Sequence, residues 1–183
     1  MIFRPTPLGG AYVLELEPHA DQRGFFARSF CRKELAEHGI DFSIAQCNIS
    51  HNARRGTLRG MHFQAAPAAE AKLVRCTAGA IWDVIVDLRA DSPTHLRWFA
   101  EELSAGNRRT LYVPVGFAHG FESLTDDAEV LYLMSEFFSP EHARGARWDD
   151  PAFGIRWPMA PTAMSEKDRG YPHWNQSSAQ ANP

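Results

Sequence analysis

The sequence predicts an all-β fold, a barrel or sandwich of short strands with a few short helices and an irregular C-terminal extension. Three observations carry that prediction. Residues 80–88 alternate strictly, with Trp82, Val84, Val86 and Leu88 on one face and Ile81, Asp83, Ile85 and Asp87 on the other, the two-residue period of a strand. The 12 Phe, 5 Trp and 4 Tyr are residue types that suit a pleated, half-buried surface. The 13 Gly and 12 Pro are scattered as punctuation at short intervals, which fits a sandwich or barrel and not a helical bundle.

In chain order, strands are expected at 11–17, 25–30, 43–49, 57–63, 72–77, 80–88, 96–103, 110–113, 117–124 and 129–138. Segment 11–17 alternates cleanly and could add to the sheet of another subunit. The one clear helix is Arg32 to His38, closed by Gly39 as a C-terminal cap. In 57–63, Gly60 interrupts the strand, so Arg59 and His62 point to opposite faces unless Gly60 makes a bulge. Lys72 follows an Ala-rich turn, where a solvated lysine is the ordinary reading. Asp83 and Asp87 share a face and read first as hydrogen-bonded structure, second as an acid/base pair. Pro114 and Gly116 shape the turn before His119, which on its own reads as a satisfied interior histidine. From Asp149 the alternation is lost. No long linker interrupts the chain, so residues 1–174 read as one domain and 175–183 as a polar, frayed tail.

At 183 residues, with 44% hydrophobic and 22% charged, the chain has the composition of a soluble globular protein whose core needs neither disulfides nor structural metal. Cys31, Cys47 and Cys76 show no C-x-x-C spacing, and the start M-I-F-R-P-T-P-L-G-G has no apolar leader, so a reducing cytoplasm is expected. A formal charge of −3 gives no global attraction to nucleic acid or membrane. An anionic ligand therefore needs a local site.

Two stretches carry candidate chemistry. In T-L-R-G-M-H-F-Q, from Thr57, stand Arg59 and His62; in P-V-G-F-A-H-G-F, from Pro114, stands His119. The P-x-G-x-x-H spacing resembles the second motif of the cupin superfamily. A metal-binding member would offer a second imidazole where this chain has Gln64, a poor ligand, so a metal site on His62, Glu70 and His119 is the weaker reading.

The motifs D-Q-R-G-F-F from Asp21, Q-C-N from Gln46, L-R-G-M-H-F-Q from Leu58, K-L-V-R from Lys72 and D-V-I-V-D-L-R from Asp83 come in that order. S-P-T from Ser92, P-V-G-F-A-H-G-F from Pro114, W-D-D-P from Trp148 and S-E-K-D from Ser165 continue it. In order and spacing the set resembles the dTDP-4-dehydrorhamnose 3,5-epimerases, from about residue 3 to about residue 174. The resemblance implies a cupin-like jelly-roll fold, a dTDP-linked 4-keto-6-deoxyhexose as substrate in rhamnose or related deoxysugar biosynthesis, no cofactor or metal, and a homodimer. It makes His62 the base, Asp168 the carboxylate that orients it, Lys72 the cation near the developing enolate and Tyr132 the acid on the opposite face. For substrate contacts it implies Arg23 and Arg59 at the diphosphate, Phe26 on the thymine, and Gln46, Asn48, His119 and Lys167 as further partners. Arg54 and Arg55 read as a solvated loop.

The chain departs from that pattern at three positions. Arg28, also placed at the substrate, replaces a glutamate; Phe138 lacks the hydroxyl of a common tyrosine; Ala143 stands where glutamate is common. Inversion of C3 and C5 is the leading reading. The alternatives are inversion of one centre in another dTDP-4-keto-deoxysugar, a metal-dependent cupin oxygenase or isomerase, and a non-catalytic sugar-nucleotide binder or ketoisomerase. Whether Asp83 or Asp168 partners His62 stays open at this level.

Overall fold

The structure, a computed structural model, describes residues 1–174. The expected tail at 175–183 lies outside the described residues. The strands are β1 (Ile2–Pro5), β2 (Tyr12–Glu15), β3 (His19–Asp21), β4 (Gly24–Phe26), β5 (Gln46–Asn52), β6 (Leu58–Gln64), β7 (Lys72–Ala78), β8 (Ala80–Asp87), β9 (Trp98–Ser104), β10 (Thr110–Val113), β11 (Phe117–Ser123), β12 (Ala128–Met134) and β13 (Ala143–Gly145). Two short helices, α1 (Arg32–Glu37) and α2 (Glu166–Arg169), complete the elements.

Two antiparallel sheets face each other. One has six strands in the order β1-β2-β10-β7-β12-β5, the other five in the order β13-β6-β11-β8-β9, and β3 and β4 form a separate ribbon. The sheets do not close on each other, so of the expected barrel or sandwich the chain forms the cupin-like sandwich.

The alternation of β8 decides the layering. Its mixed face, with Ile81 and Ile85, looks into the space between the sheets, where Val74, Leu103, Leu111, Phe121 and Val130 make the central core. Its wholly apolar face looks the other way. There Val84 and Val86 pack with Met61 and Ala118 beneath Phe153, Ile155, Trp157 and Trp174 of the irregular C-terminal segment. That segment is tied down by the parallel bridge of Thr57 with Ala163 and by hydrogen bonds from Leu58 N to Ala163 O (2.9 Å) and from Thr162 N to Gly56 O (2.8 Å). α1 buries Leu35 against Leu14, Phe42 and Tyr112 on the outer face of the six-stranded sheet, and Gly39 ends it with φ +74°.

Several boundaries differ from the sequence expectation. Strand 25–30 is only β4, and strand 129–138 stops at Met134, because past it the chain turns away to form the rim of a cavity. Strand 43–49 slides forward to Gln46–Asn52, where it pairs along the whole of β12. Segment 11–17 contributes β2, which pairs on one side with β1 and on the other with β10, so it is no free edge for a second subunit. The edges of that sheet are β1 and β5.

Candidate active site

The two central histidines sit on neighbouring strands of the five-stranded sheet, in direct register: His119 of β11 is the Cα partner of His62 on β6. Between His119 and Phe121 the pairing shifts by a residue, because Gly60 and Met61 together oppose Gly120. This is the bulge that the glycine allowed, and it turns Arg59 and His62 into the same cavity. Only glycine fits there. Gly60 has φ +142°, and a Cβ on it would lie 2.6 Å from Gly120 Cα.

Each histidine has its own carboxylate. His62 Nε2 is 2.7 Å from Asp168 Oδ1, and His119 Nε2 is 2.7 Å from Asp83 Oδ1. The choice left open by the sequence is thus resolved in favour of Asp168 for His62. Asp168 stands in α2, whose N-cap Ser165 accepts the Asp168 N–H at 3.0 Å, and its Oδ2 accepts Gly60 N–H at 3.4 Å. Burial pushes the Asp168 carboxyl up, but the His62 hydrogen bond, the His62 charge, the Gly60 N–H and the Ser165 side chain together outweigh it and hold it below the ordinary range. An ionised carboxylate only accepts, so His62 donates from Nε2 and its Nδ1 is left as the unprotonated, basic nitrogen. The His62 side chain is 41% exposed; Asp168 behind it is buried.

The second pair is sealed. Asp83 and His119 are 0% and 4% exposed, and Asp83 Oδ2 has no hydrogen-bond partner among the described residues. Burial pushes Asp83 up, with His119 and Lys72 pulling it back in part. Asp87, expected on the same face, belongs to another task. It accepts from Arg89 Nε (2.9 Å), Ser92 Oγ (2.5 Å) and Thr94 Oγ1 (2.6 Å), tying the D-L-R and S-P-T motifs into one turn. Burial works against its ionisation, yet the Arg89 fork and the two hydroxyls hold it at about 2.

Across the interior, on the six-stranded sheet, Tyr132 of β12 sets its ring edge-on to His119, with centroids 6.0 Å apart and planes at 82°. Burial, reinforced by the Asp83 charge, pushes its phenol well above the usual range, so it stays protonated. Lys72 of β7 is not the solvated lysine read from local sequence. It is 5% exposed, paired with the equally sheltered Glu70 at 3.0 Å, and donates to the His62 carbonyl at 3.4 Å. Its burial is possible because Glu70 neutralises it, a relation that the strand pattern alone does not reveal.

A cavity of about 530 Å³ opens above these groups, lined by Gln46, Asn48, Arg59, His62, Lys167 and Asp168 among the expected residues. Phe138 and Ala143, two of the three departures, line it as well. Lys72, Tyr132 and His119 are not in its lining and stand behind it. Arg23, Phe26 and Arg28 are not brought to it within one chain. Arg23 is exposed and pairs with Asp21 at 2.5 Å; Phe26 is 78% exposed; Arg28 pairs with Glu34 at 2.7 Å. Phe26 and Arg28 border a different cavity, of about 490 Å³, near Met1 and Glu17.

The metal reading finds no ligand set. Among the described residues no group of three or more His, Cys, Asp or Glu is placed to hold an ion. His62 and His119 are turned to separate carboxylates and Glu70 to Lys72. Gln64 is a clamp: its Oε1 accepts Ser139 N–H (2.7 Å) and its Nε2 donates to the Ala68 and Phe137 carbonyls (2.8 and 3.1 Å), fixing the loop that presents Phe138. Sequence reasoning missed Tyr171, whose ring stands edge-on to His62 at 5.9 Å. Gly145, opposite His62 in register, makes room for it, since a Cβ there would lie 2.3 Å from Tyr171 Cζ. A lone Tyr in an irregular segment gives no periodic signal; the nearby S-E-K-D was the only cue.

Comparison with known proteins agrees with this geometry. The family described as dTDP-4-dehydrorhamnose 3,5-epimerase matches residues 5–176. The Pseudomonas aeruginosa protein of that name is 46% identical over 170 residues, covering 91% of this chain and 93% of the relative. The crystal structure of the Bacillus anthracis dTDP-4-dehydrorhamnose 3,5-epimerase with TDP and PPi bound superposes with a TM-score of 0.91 at 43% identity, covering 94% of this chain and 99% of that one. A Legionella pneumophila dTDP-6-deoxy-D-glucose-3,5-epimerase in complex with dTDP-4-keto-L-rhamnose gives a TM-score of 0.91 at 34% identity, covering 100% and 97%. A match that runs through both sheets and on past the segment bearing Asp168 leaves one conclusion: the chain belongs to the dTDP-4-dehydrorhamnose 3,5-epimerase family.

Proposed function

We propose that the protein inverts C3 and C5 of dTDP-4-keto-6-deoxy-D-glucose to give dTDP-4-keto-L-rhamnose, by removing a proton next to the C4 ketone and returning one from the opposite face. The observation that carries this reading is the opposition of a base and an acid. His62 projects from the five-stranded sheet with Nδ1 free, and Tyr132, held protonated, projects from the six-stranded sheet. In a gluco-configured ring the hydrogens on C3 and C5 lie on one face, so a single base on one wall and a single acid on the other serve both centres. Lys72, fixed beside the base and screened from water, would stabilise the enolate oxygen formed at each removal.

Arg59 and Lys167 give the cavity the cations a diphosphate needs, and Gln46 and Asn48 polar contacts for the rest of the nucleotide. The relative that holds dTDP-4-keto-L-rhamnose supports this substrate class. Because Arg23 and Phe26 point away from the cavity of their own chain, we assign their nucleotide contacts to a second copy in a homodimer. Side chains alone perform these steps, within residues 1–174 acting as one unit in the cytoplasm; among the described residues no helix is long and apolar enough to cross a membrane.

Proton NMR of the purified protein with dTDP-4-keto-6-deoxyglucose in D2O tests the reading. Exchange at C3 and C5 with a rhamno-configured product is expected. Phe138 and Ala143 in the cavity lining favour one specific second reading, inversion of a single centre, which exchange at only one carbon would establish. No exchange at either carbon would refute both. Sedimentation at the mass of one chain would refute the dimer.

A further inference from the structure

His62 is held at two points that leave it one freedom. Its imidazole is joined to β6 through the Cβ–Cγ bond, and its Nε2 donates to Asp168 Oδ1 at 2.7 Å. These two anchors lie almost on one line through the ring, so the ring can turn about that line without breaking the hydrogen bond. The histidine χ2 torsion is broad and supplies no stop of its own. Such a turn swings Nδ1, the nitrogen left free to take a proton. A wall against the ring is needed to fix its plane.

In a sheet that wall comes from the side chains directly opposite on the neighbouring strands. On the β11 side the neighbour of His62 is His119, whose imidazole is turned to Asp83. On the β13 side it is Gly145, which has no side chain. The gap is filled by Tyr171 of the C-terminal segment, whose ring meets the imidazole edge-on, with centroids 5.9 Å apart and planes at 68°. A Cβ at position 145 would lie 2.3 Å from Tyr171 Cζ, so glycine there is the condition for the ring to enter. Given the epimerase reading, on which this rests and which it deepens, we propose that Tyr171 is a positioning residue. Its ring takes the place of a cross-strand neighbour and, with Asp168, fixes the plane of the His62 imidazole.

The ring is not what keeps its own segment in place. The chain on either side of Tyr171 is tied to Arg147, whose N–H donates to the Pro172 carbonyl (3.3 Å) and whose Nη1 donates to the Arg169 carbonyl (3.2 Å). Asp168 is held separately, through the Ser165 cap and the Gly60 N–H. Lys167 Nζ lies 6.0 Å from the Tyr171 centroid, the outer limit of a cation–π contact, so the ring does little to hold that cation. Loss of the ring therefore acts on kcat and leaves KM nearly as it was.

The test compares Tyr171→Ala, Tyr171→Phe, Gly145→Ala and the double variant of Gly145→Ala with Tyr171→Ala, using melting curves and dTDP binding as controls of the fold. Tyr171→Leu stands in if Tyr171→Ala does not fold. With dTDP-4-keto-6-deoxyglucose, Tyr171→Ala is expected to lower kcat by about tenfold or more at nearly constant KM, since a misplacement of about 1 Å can cost about a hundredfold in rate. Tyr171→Phe, which keeps the ring, is expected to recover most of that loss. Gly145→Ala should slow the parent by crowding the ring and add nothing once the ring is gone. A Phe variant as slow as the Ala variant, an effect on KM alone, or an equal Gly145→Ala penalty in both backgrounds would overturn the proposal. A second readout needs no substrate. In proton–nitrogen NMR with isotope-labelled histidine, the Nε2–H signal of His62, assigned by its absence from His62→Gln, is expected to be sharp in the parent and in Tyr171→Phe. It is expected to broaden in Tyr171→Ala, and an unchanged signal there would overturn the proposal too. A parent that exchanges neither C3 nor C5 refutes the epimerase reading, and this signal alone then decides whether the ring fixes the imidazole.

Discussion

The molecule contains the same chemical pair twice, its two histidines in register on adjacent strands, and surrounds the two pairs very differently. His62–Asp168 stands at the mouth of the cavity with its imidazole 41% exposed; His119–Asp83 stands behind it with 4% and 0% exposure. Both have the same 2.7 Å hydrogen bond through Nε2. The difference lies in the carboxylates. Asp168 is offered by a helical turn capped by Ser165, accepts a further N–H from Gly60 on its second oxygen and is held in its ionised form, whereas Asp83 is offered by a mid-sheet strand with one oxygen unsatisfied and is pushed toward its protonated form. A hydrogen-bond distance therefore says little about what a His–Asp pair does; exposure and the second oxygen say more.

Four substitutions break or sharpen that contrast. The largest effect is expected for His62→Ala, which removes the base: turnover followed by NMR should fall by about 10³–10⁴-fold, or about 4–5.5 kcal/mol, with the melting curve little changed. His119→Ala should show the reverse emphasis in urea unfolding, losing about 3–5 kcal/mol because it leaves Asp83 buried without its partner. Were the two variants equally stable, the contrast in burial would carry no energetic meaning.

A third test uses the other carboxylate of β8. Asp87 is held at about 2, below the roughly 3.9 of an unfolded aspartate, so the stability it contributes is fully present above about pH 4 and is lost as the pH falls through about 2. Asp87→Asn should cost about 2 kcal/mol at neutral pH and less below pH 3, as read from unfolding curves across that range. The smallest effect is expected for Phe138→Tyr, which restores a hydroxyl at the rim: the ratio of exchange at C3 to exchange at C5 should shift by about tenfold or less, with the fold unchanged.

What the sequence discloses about this architecture follows the range of the forces involved. The alternation in β8 was legible because it is local, and so was the cap of α1 at Gly39. The ends of β5 and β12 were not, because each is set by its partner across the sheet. Three- and four-residue strands such as β1, β3 and β13 offer too few residues for a period to register. Within the site, His62, Tyr132 and Asp168 could be named from motifs, yet the matching of two carboxylates to two histidines needed the fold, because His62 and Asp168 are 106 positions apart. The burial of Lys72 was illegible for a like reason, since it depends on Glu70. Arg23 and Phe26 were expected at the nucleotide from motif alone, and within their own chain neither reaches the cavity.

The irregular segment that covers the apolar face of the five-stranded sheet is also the one that delivers Asp168. Wear on this enzyme should therefore begin there. A local opening that lifts the segment, by heat or by a protease nick, strips His62 of its partner while the two sheets still stand, so catalytic half-life during storage will run out ahead of any loss of β-sheet signal.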